Sequence, residues 1–317
     1  MDMLSVKDVQ FSYDKSKKVL KDINFSVREN DVMGFMGLNG AGKSTLIQLI
    51  MGLLKLSDGS IEIGDLDIKK HSKEVKKMLG YVPQDIAIIE NLTAYQNVKF
   101  FGSIYGLKGK ELAEHVDRAL AFVQLTDRAK ERPSKFSGGM KRRLNIACGI
   151  VHNPQLIILD EPTVGVDPQS RNYILESINE LKQQGKTIIY VSHYMEEIES
   201  ICNQVVIIND GKVLYSGGMD EIKHEAGSEM INVIFHRPLE ESDKRQLMYE
   251  FKENAAFPSE TELEIKVHGE AGESVKNLIS LKENFNDQIK KIQLSDVSLE
   301  SVFLELTGTH PSVQQSG

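Results

Sequence analysis

Nine consecutive residues, Gly37-Leu38-Asn39-Gly40-Ala41-Gly42-Lys43-Ser44-Thr45, fit the pattern G-x-x-x-x-G-K-[ST] through Gly37, Gly42, Lys43 and Ser44. Glycine at these positions lets successive backbone N–H groups turn inward as a concave anion nest, and a helix starting near Lys43 adds its positive end. Phosphate oxygens suit such a loop. Lys43 would reach the β- and γ-phosphates of a nucleotide, and the Ser44 hydroxyl would offer an oxygen to Mg²⁺. A second chemical pair, Asp160-Glu161, closes the apolar run Leu156-Ile157-Ile158-Leu159. Two acids at the end of a strand buried on both faces are costly to desolvate and want a cation. With a phosphate loop in the same chain, the natural partner is Mg²⁺ on nucleotide phosphate, the plain alternative being a salt-bridged or solvated loop pair: Asp160 would hold the metal through water, and Glu161 would polarise an attacking water.

Other residues carry weaker signals, each with a plain structural alternative. Gln84 follows Pro83 at the end of Met78-Leu79-Gly80-Tyr81-Val82, and His193 follows Ser192 at the end of Thr187-Ile188-Ile189-Tyr190-Val191. A solvated loop glutamine and a structural histidine are the bland readings. Ligands of open parallel sheets bind off the carboxyl ends of strands, however, and Gln84, Asp160, Glu161 and His193 all stand at such ends. Gln84, if its strand is central, would touch metal or water beside the γ-phosphate. Ser137-Gly138-Gly139, ahead of Met140, is either an anion site at a helix N-terminus or an ordinary N-cap with flexible glycines. Tyr13 is either a platform for a nucleotide base or a strand-end ring packed on the sheet.

The elements that must position these residues are legible from hydrophobic period. Val32-Met33-Gly34-Phe35-Met36 is a buried strand before the glycine loop, and Leu46-Ile47-Gln48-Leu49-Ile50-Met51 continues as an apolar helix. Leu4, Val6 and Val9 alternate with polar residues, as do Ile23, Phe25 and Val27, which predicts an antiparallel pair. Ile61, Ile63 and Ile68 around Gly64-Asp65 predict a further hairpin, and Lys69 to Lys77 a surface helix. Thr93 with Gln96 matches a capping box for a helix carrying Val98, Phe101, Ile104 and Tyr105; Ala113, Val116, Leu120 and Val123 mark a second. These form a helical insertion at about 86–150 within an α/β core. Asp167-Pro168 starts another helix, buried through Ile174, Ile178 and Leu181 and ended at Gly185. Val205 to Ile208 and Val213 to Tyr215 flank the turn Asn209-Asp210-Gly211, predicting a hairpin that closes a first domain, residues 1–225.

Residues 226–317 read as a separate small α+β domain. Met230 to Phe235 and Leu263 to Val267 are strand-like, a helix spans about Glu273 to Asn284, and Ser298 to Gly308 closes the tail. This is also the acidic part: residues 228–317 hold 16 Asp and Glu against 9 Lys and Arg, so most of the formal charge of −8 sits there. No basic face points to nucleic acid as a partner. Hydrophobic residues at 40% and charged ones at 26% fit a globular class. Cys148 and Cys202 lie in apolar surroundings and read as buried free thiols. The polar start lacks a secretory pattern and no run of eighteen apolar residues occurs, so at a membrane another chain would do the spanning.

In this order the motifs resemble those of the ATP-binding-cassette superfamily over residues 3–220. Gly37 to Thr45 resembles its Walker A, Gln84 its Q-loop, Phe136-Ser137-Gly138-Gly139-Met140 its signature, Leu156 to Glu161 its Walker B, Val164-Gly165-Val166-Asp167 its D-loop and His193 its switch histidine. Tyr13 matches the adenine-stacking aromatic. The signature departs from the common Leu-Ser-Gly-Gly-Gln at Phe136 and Met140 while keeping the Ser-Gly-Gly nest. The resemblance implies a P-loop NTPase fold: a RecA-like core with an antiparallel β subdomain and a helical insertion, here followed by the small α+β domain. It also implies ATP and Mg²⁺ as ligands, with Ser44, Gln84 and Asp160 at the metal. Two copies would close head to tail, the Ser137–Met140 signature of one covering ATP on the other, with Asp167 at the junction. Leu92 to Asn97 and Phe100 to Leu107 are similar to cassettes that pair with a separate export-type permease, such as bacterial drug, antibiotic and sodium extrusion systems. The chain would then work on the cytoplasmic face of the cell membrane. The competing expectations are a cassette that drives no transport, usually two cassettes in one chain, and an importer cassette, usually with a β-barrel-like tail.

Overall fold

The computed structural model describes residues 1–14, 18–225, 227, 229–267 and 272–308. Strands β1 (Asp2–Phe11) and β2 (Leu20–Arg28) pair antiparallel, Val6 opposite Phe25 and Val9 opposite Ile23, so their alternate apolar residues share one face. Strand β3 (Val32–Gly37), buried along nearly its whole length, runs into the glycine loop and helix α1 (Lys43–Ile50). Strands β4 (Asp58–Ile63) and β5 (Leu66–Asp67) extend the first sheet to the order β2-β1-β4-β5. Helix α2 (Ser72–Met78) then leads into β6 (Leu79–Val82).

Three helices follow, α3 (Ala94–Ile104), α4 (Gly109–Phe122) and α5 (Gly138–Ile150), before the chain returns as β7 (Leu156–Asp160). The insertion is therefore the crossover between two neighbouring parallel strands. Helix α6 (Pro168–Gln183), β8 (Thr187–Val191), α7 (Met195–Ile201), β9 (Gln204–Asn209) and β10 (Lys212–Gly218) complete a six-stranded sheet of order β10-β9-β3-β8-β7-β6. Strands β9, β3, β8, β7 and β6 pair in parallel. This is the expected P-loop architecture.

Two expectations needed correction. Strand β6 is at the sheet edge rather than central. Parallel register with β7 nevertheless sets Val82 opposite Leu159, which carries Gln84 alongside the Asp160-Glu161 end. Helix α3 buries Ala94, Asn97, Val98 and Gly102, while Ile104 is 62% exposed. The capping box is present as predicted, but the inward face turns on Asn97. Its amide accepts from Ile89 N–H at 2.7 Å and donates to the carbonyls of Ile89, Leu92 and Thr93. A side chain that satisfies four groups of one loop is buried for its hydrogen bonds, which a hydrophobic period does not register.

The chain divides into one compact unit at Met1–Gly217 and another at Gly218–His310. The second holds α8 (Met219–Glu225), β11 (Glu229–Phe235), α9 (Glu241–Phe251), β12 (Ala255–Ser259), β13 (Glu262–Val267), α10 (Glu273–Phe285), β14 (Ile289–Asp296) and α11 (Leu299–Thr307). Its sheet order, β12-β13-β11-β14, and its antiparallel pairings make the β11–β14 stretch a βαββαβ fold of ferredoxin-like topology. Ile231, Val233 and Phe235 pack with Leu263, Ile265, Leu247, Phe251, Leu281 and Phe285 as its core. Helix α9 and strand β12 escaped the sequence reading: α9 buries only Leu247 and Phe251, and β12 contains a proline.

Candidate nucleotide site

Register assembles the site. Phe35, Val191 and Asp160 lie in one row across β3, β8 and β7. Continuing each strand beyond that row brings in the glycine loop, His193 and Glu161, with Gln84 arriving from β6. A cleft of about 510 Å³ results, lined by Val19, residues 37–45, Gln84, Asp160, Glu161 and His193. A larger cleft of about 620 Å³, between α4, α5 and α6, shares none of these lining residues.

Within the loop, Gly42 takes φ 109° at the cap of α1, a left-handed conformation that side chains resist. At Gly37 a Cβ would come within 2.3 Å of the Ile208 carbonyl oxygen, so glycine is needed for close approach. The Lys43 ammonium donates to the carbonyls of Gly37 at 2.7 Å and Leu38 at 3.1 Å. Burial lowers its pKa, against the opposing pull of Glu161 and Asp160. Tyr13 is 63% exposed, its hydroxyl 3.1 Å from Thr45 Oγ1 and its ring edge-on to Phe11. The ring thus packs against Phe11 of β1, and Tyr13 is not among the residues that line the cleft.

Asp160 and Glu161 differ in environment. Burial and then the neighbouring Glu161 raise the Asp160 carboxyl, which receives a long hydrogen bond from the Tyr81 hydroxyl at 3.4 Å. Glu161 is held below the usual range, first by the hydrogen bond from His193, whose Nδ1 lies 3.4 Å away. Its backbone has φ 46°, uncommon for a residue with a side chain, and is secured by its N–H to the Val191 carbonyl at 2.9 Å. Two carboxylates, one of them raised by burial, leave a deficit of positive charge beside a loop built for anions.

A family model described as ABC transporter matches residues 20–164. The linearmycin resistance ATP-binding protein LnrL of Bacillus subtilis (strain 168) is 38% identical over 307 residues, covering 96% of this chain and 98% of that protein. The chain belongs to the ABC transporter ATP-binding proteins. The daunorubicin resistance ATP-binding protein DrrA2 of Streptomyces coeruleorubidus, 30% identical over 92% of this chain and 91% of its own length, is another relative. A solved dimeric structure of the ATP-binding cassette MJ0796, in a post-hydrolysis state bound to ADP and Pi, is 26% identical with a TM-score of 0.61; it covers 68% of this chain and 99% of that one.

In this ABC ATP-binding protein the signature residues stand apart from the cleft. Ser137 caps α5, accepting from Met140 N–H at 3.2 Å. Gly139 packs so tightly on α6 that a Cβ there would meet Ser170 Oγ at 1.9 Å. Asp167 caps α6 through Ser170 and is held below the usual carboxylate range by those hydrogen bonds. Sequence reasoning missed Arg142 and Asn145. Buried Arg142 donates to the Pro83 carbonyl at 3.0 Å; Asn145 donates to the same oxygen and accepts from Ala87 N–H at 3.1 Å. The helix that begins at the signature thereby grips both sides of Gln84. A signal was present: residues 142, 145 and 149 repeat at helical spacing on a buried face, but two of them are polar.

Proposed function

We propose that this ATPase is the nucleotide-driven subunit of a bacterial export system and works on the cytoplasmic face of the cell membrane with a separate polytopic permease. The observation that carries the hydrolytic part is the convergence of residues 37–45, Gln84, Asp160, Glu161 and His193 on one cleft. Loop N–H groups and Lys43 bind the phosphates, and Tyr13 offers its ring to the adenine. Glu161 takes a proton from the attacking water, and His193 orients Glu161 and reaches toward the γ-phosphate. Ser44, Asp160 and Gln84 provide hard oxygen donors that fit Mg²⁺. Phosphate oxygens and water would complete that shell. When bound, Mg²⁺ neutralises charge that develops on the phosphate oxygens.

The Ser137–Gly139 nest, remote from its own cleft, would cover ATP held by a second copy. The solved MJ0796 dimer is compatible with that pairing. Closure of two copies on ATP would then drive the permease, and hydrolysis would reset it. The export assignment draws on LnrL and DrrA2, both named for drug resistance and both aligned over nine tenths of this chain, tail included. Among the described residues no helix is long and apolar enough to cross a membrane.

The test is light scattering of Glu161→Gln with and without ATP and Mg²⁺, beside steady-state hydrolysis by the wild type. A monomer that becomes a dimer only with ATP supports closure across two sites. A protein that stays monomeric with ATP and Mg²⁺ argues against it. Copurification of a polytopic membrane protein, with no substrate-binding protein in the complex, separates exporter from importer and from a cassette without transport.

A further inference from the structure

Glu197, four residues beyond His193 and 1% exposed, sits at the centre of a hydrogen-bonded knot. Its Oε2 accepts from the Thr163 hydroxyl at 2.9 Å, the Tyr190 hydroxyl at 2.6 Å and the Ser192 hydroxyl at 2.9 Å. Its Oε1 accepts from Arg171 Nε at 2.7 Å. One buried carboxylate thus fastens three segments. Thr163 is two residues past Glu161, Ser192 immediately precedes His193, and Arg171 lies in the first turn of α6. The Ser192 hydroxyl also accepts from Tyr194 N–H at 3.0 Å, which folds the His193 loop around it. Arg171 spreads its guanidinium 5.0 Å over the Tyr194 ring, and that ring lies 4.2 Å from the His193 ring.

The opposite side of the same helical turn meets the signature. Ser170, the neighbour of Arg171, is the residue a Cβ on Gly139 would strike, and it is hydrogen-bonded to the cap Asp167 at 2.7 Å. Close-packed contacts and short charge-assisted bonds move as one body, so a displacement of this turn is felt at both ends. Burying a carboxylate without partners is unfavourable; here three hydroxyls from the segments flanking the hydrolytic pair and the Arg171 guanidinium from α6 compensate the burial.

We propose that Glu197 is a positioning residue for ATP hydrolysis: it clamps the turn after Glu161 and the loop bearing His193 to the first turn of α6, so that engagement of the signature reaches the hydrolytic pair through Ser170 and Arg171. The proposal rests on Glu161 and His193 being that pair. None of the clamp's hydrogen bonds reaches residues 37–45, and its contact with the cleft is through the Tyr194 ring on His193, so it acts on turnover and leaves nucleotide affinity alone. Arg171 is its adjustable arm, being one-third exposed and reachable by substitution without opening the core.

The experiment uses the full chain and the variants Arg171→Ala, Arg171→Lys, Thr163→Val, Glu197→Gln and Arg171→Ala/Glu197→Gln, with Glu161→Gln as reference. Steady-state kcat and KM for ATP, the Kd for ATP with Mg²⁺, and the thermal midpoint are measured for each. The expected result is a kcat lower by about tenfold or more in Arg171→Ala and Glu197→Gln, the scale of loss that a small misplacement of reacting groups produces, with KM and Kd within about twofold. Arg171→Lys recovers part of kcat, and the double variant is no slower than Glu197→Gln, because the two residues act as a unit. If Glu197→Gln does not fold, Arg171→Ala and Thr163→Val are judged by the same criteria. Normal turnover in the clamp variants beside an inactive Glu161→Gln overturns the clamp alone. Loss of kcat together with ATP affinity and thermal midpoint overturns it in favour of a merely structural role. Normal turnover in Glu161→Gln overturns the assignment of the pair, and the proposal with it.

Discussion

His193 Nδ1 lies 3.4 Å from Glu161 Oε1, joining the carboxyl ends of two neighbouring strands across the floor of the cleft. This hydrogen bond is the largest influence that lowers the Glu161 pKa from 4.5, and burial works against it. Removing the imidazole leaves burial to push the carboxyl back up. The acid limb of the kcat–pH profile, where protonation of the base stops turnover, therefore moves to higher pH in His193→Ala. The shape of the profile between pH 4 and 8 is the readout, whatever its height; coincident limbs would show that His193 does not tune this carboxylate.

Glu161→Gln keeps the size and the strained backbone position but has no basic oxygen. Turnover is expected to fall by about 10²- to 10⁴-fold, the range for loss of a general base, with ATP affinity retained. Single-turnover hydrolysis and equilibrium binding, measured on one preparation, check both halves.

Lys43 spends its hydrogen bonds on Gly37 and Leu38 of its own loop, so it both shapes the nest and meets the phosphates. Lys43→Ala is expected to weaken ATP binding roughly 10- to 100-fold, as for the loss of one or two charge-assisted hydrogen bonds. Titration calorimetry with Mg²⁺ and ATP measures it. An unchanged Kd would remove Lys43 from the binding role.

The two signature glycines respond differently to an added methyl group. A Cβ at Gly139 would lie 2.6 Å from Ser170 Cβ, whereas one at Gly138 would meet nothing nearer than the Gly165 carbonyl at 3.9 Å. Gly139→Ala is expected to cost about 1–3 kcal/mol by overpacking, and Gly138→Ala close to nothing. Urea denaturation of both variants decides. Equal midpoints would mean that α6 yields at Ser170.

His152 is stacked on Tyr105 with ring centroids 3.5 Å apart and bonded through Nε2 to the Leu79 carbonyl at 2.8 Å. Burial pushes its pKa from 6.5 down to about 4. The folded state therefore resists protonation more than the unfolded chain does. Its contribution to stability is present above pH 6.5 and is lost as the pH falls from there toward 4. Between pH 7 and 5 this group should remove about 2 kcal/mol. The stability difference between wild type and His152→Phe, measured at both pH values, isolates it; a difference that does not change with pH would contradict the assignment.

The chemistry of the phosphate loop was legible in the sequence because it is local. Gly37 to Thr45 needs only its own backbone conformation and the strand and helix on either side, and hydrophobic period reveals both. The apolar runs ending at Val82, Asp160 and Val191 likewise announced strands with polar residues at their ends. Tertiary pairing alone decided that those ends meet, because parallel register is set between segments far apart in the chain. The same holds for residues that act through distant partners: Arg142 reaches Pro83 across 59 positions, and Thr163 reaches Glu197 across 34. Asn97, Arg142 and Glu197 are polar side chains at buried positions, so a hydrophobic pattern counts them against burial. Hydrogen bonds that exist only once the chain has folded bring them inside, and these bonds supply the free energy that offsets their desolvation.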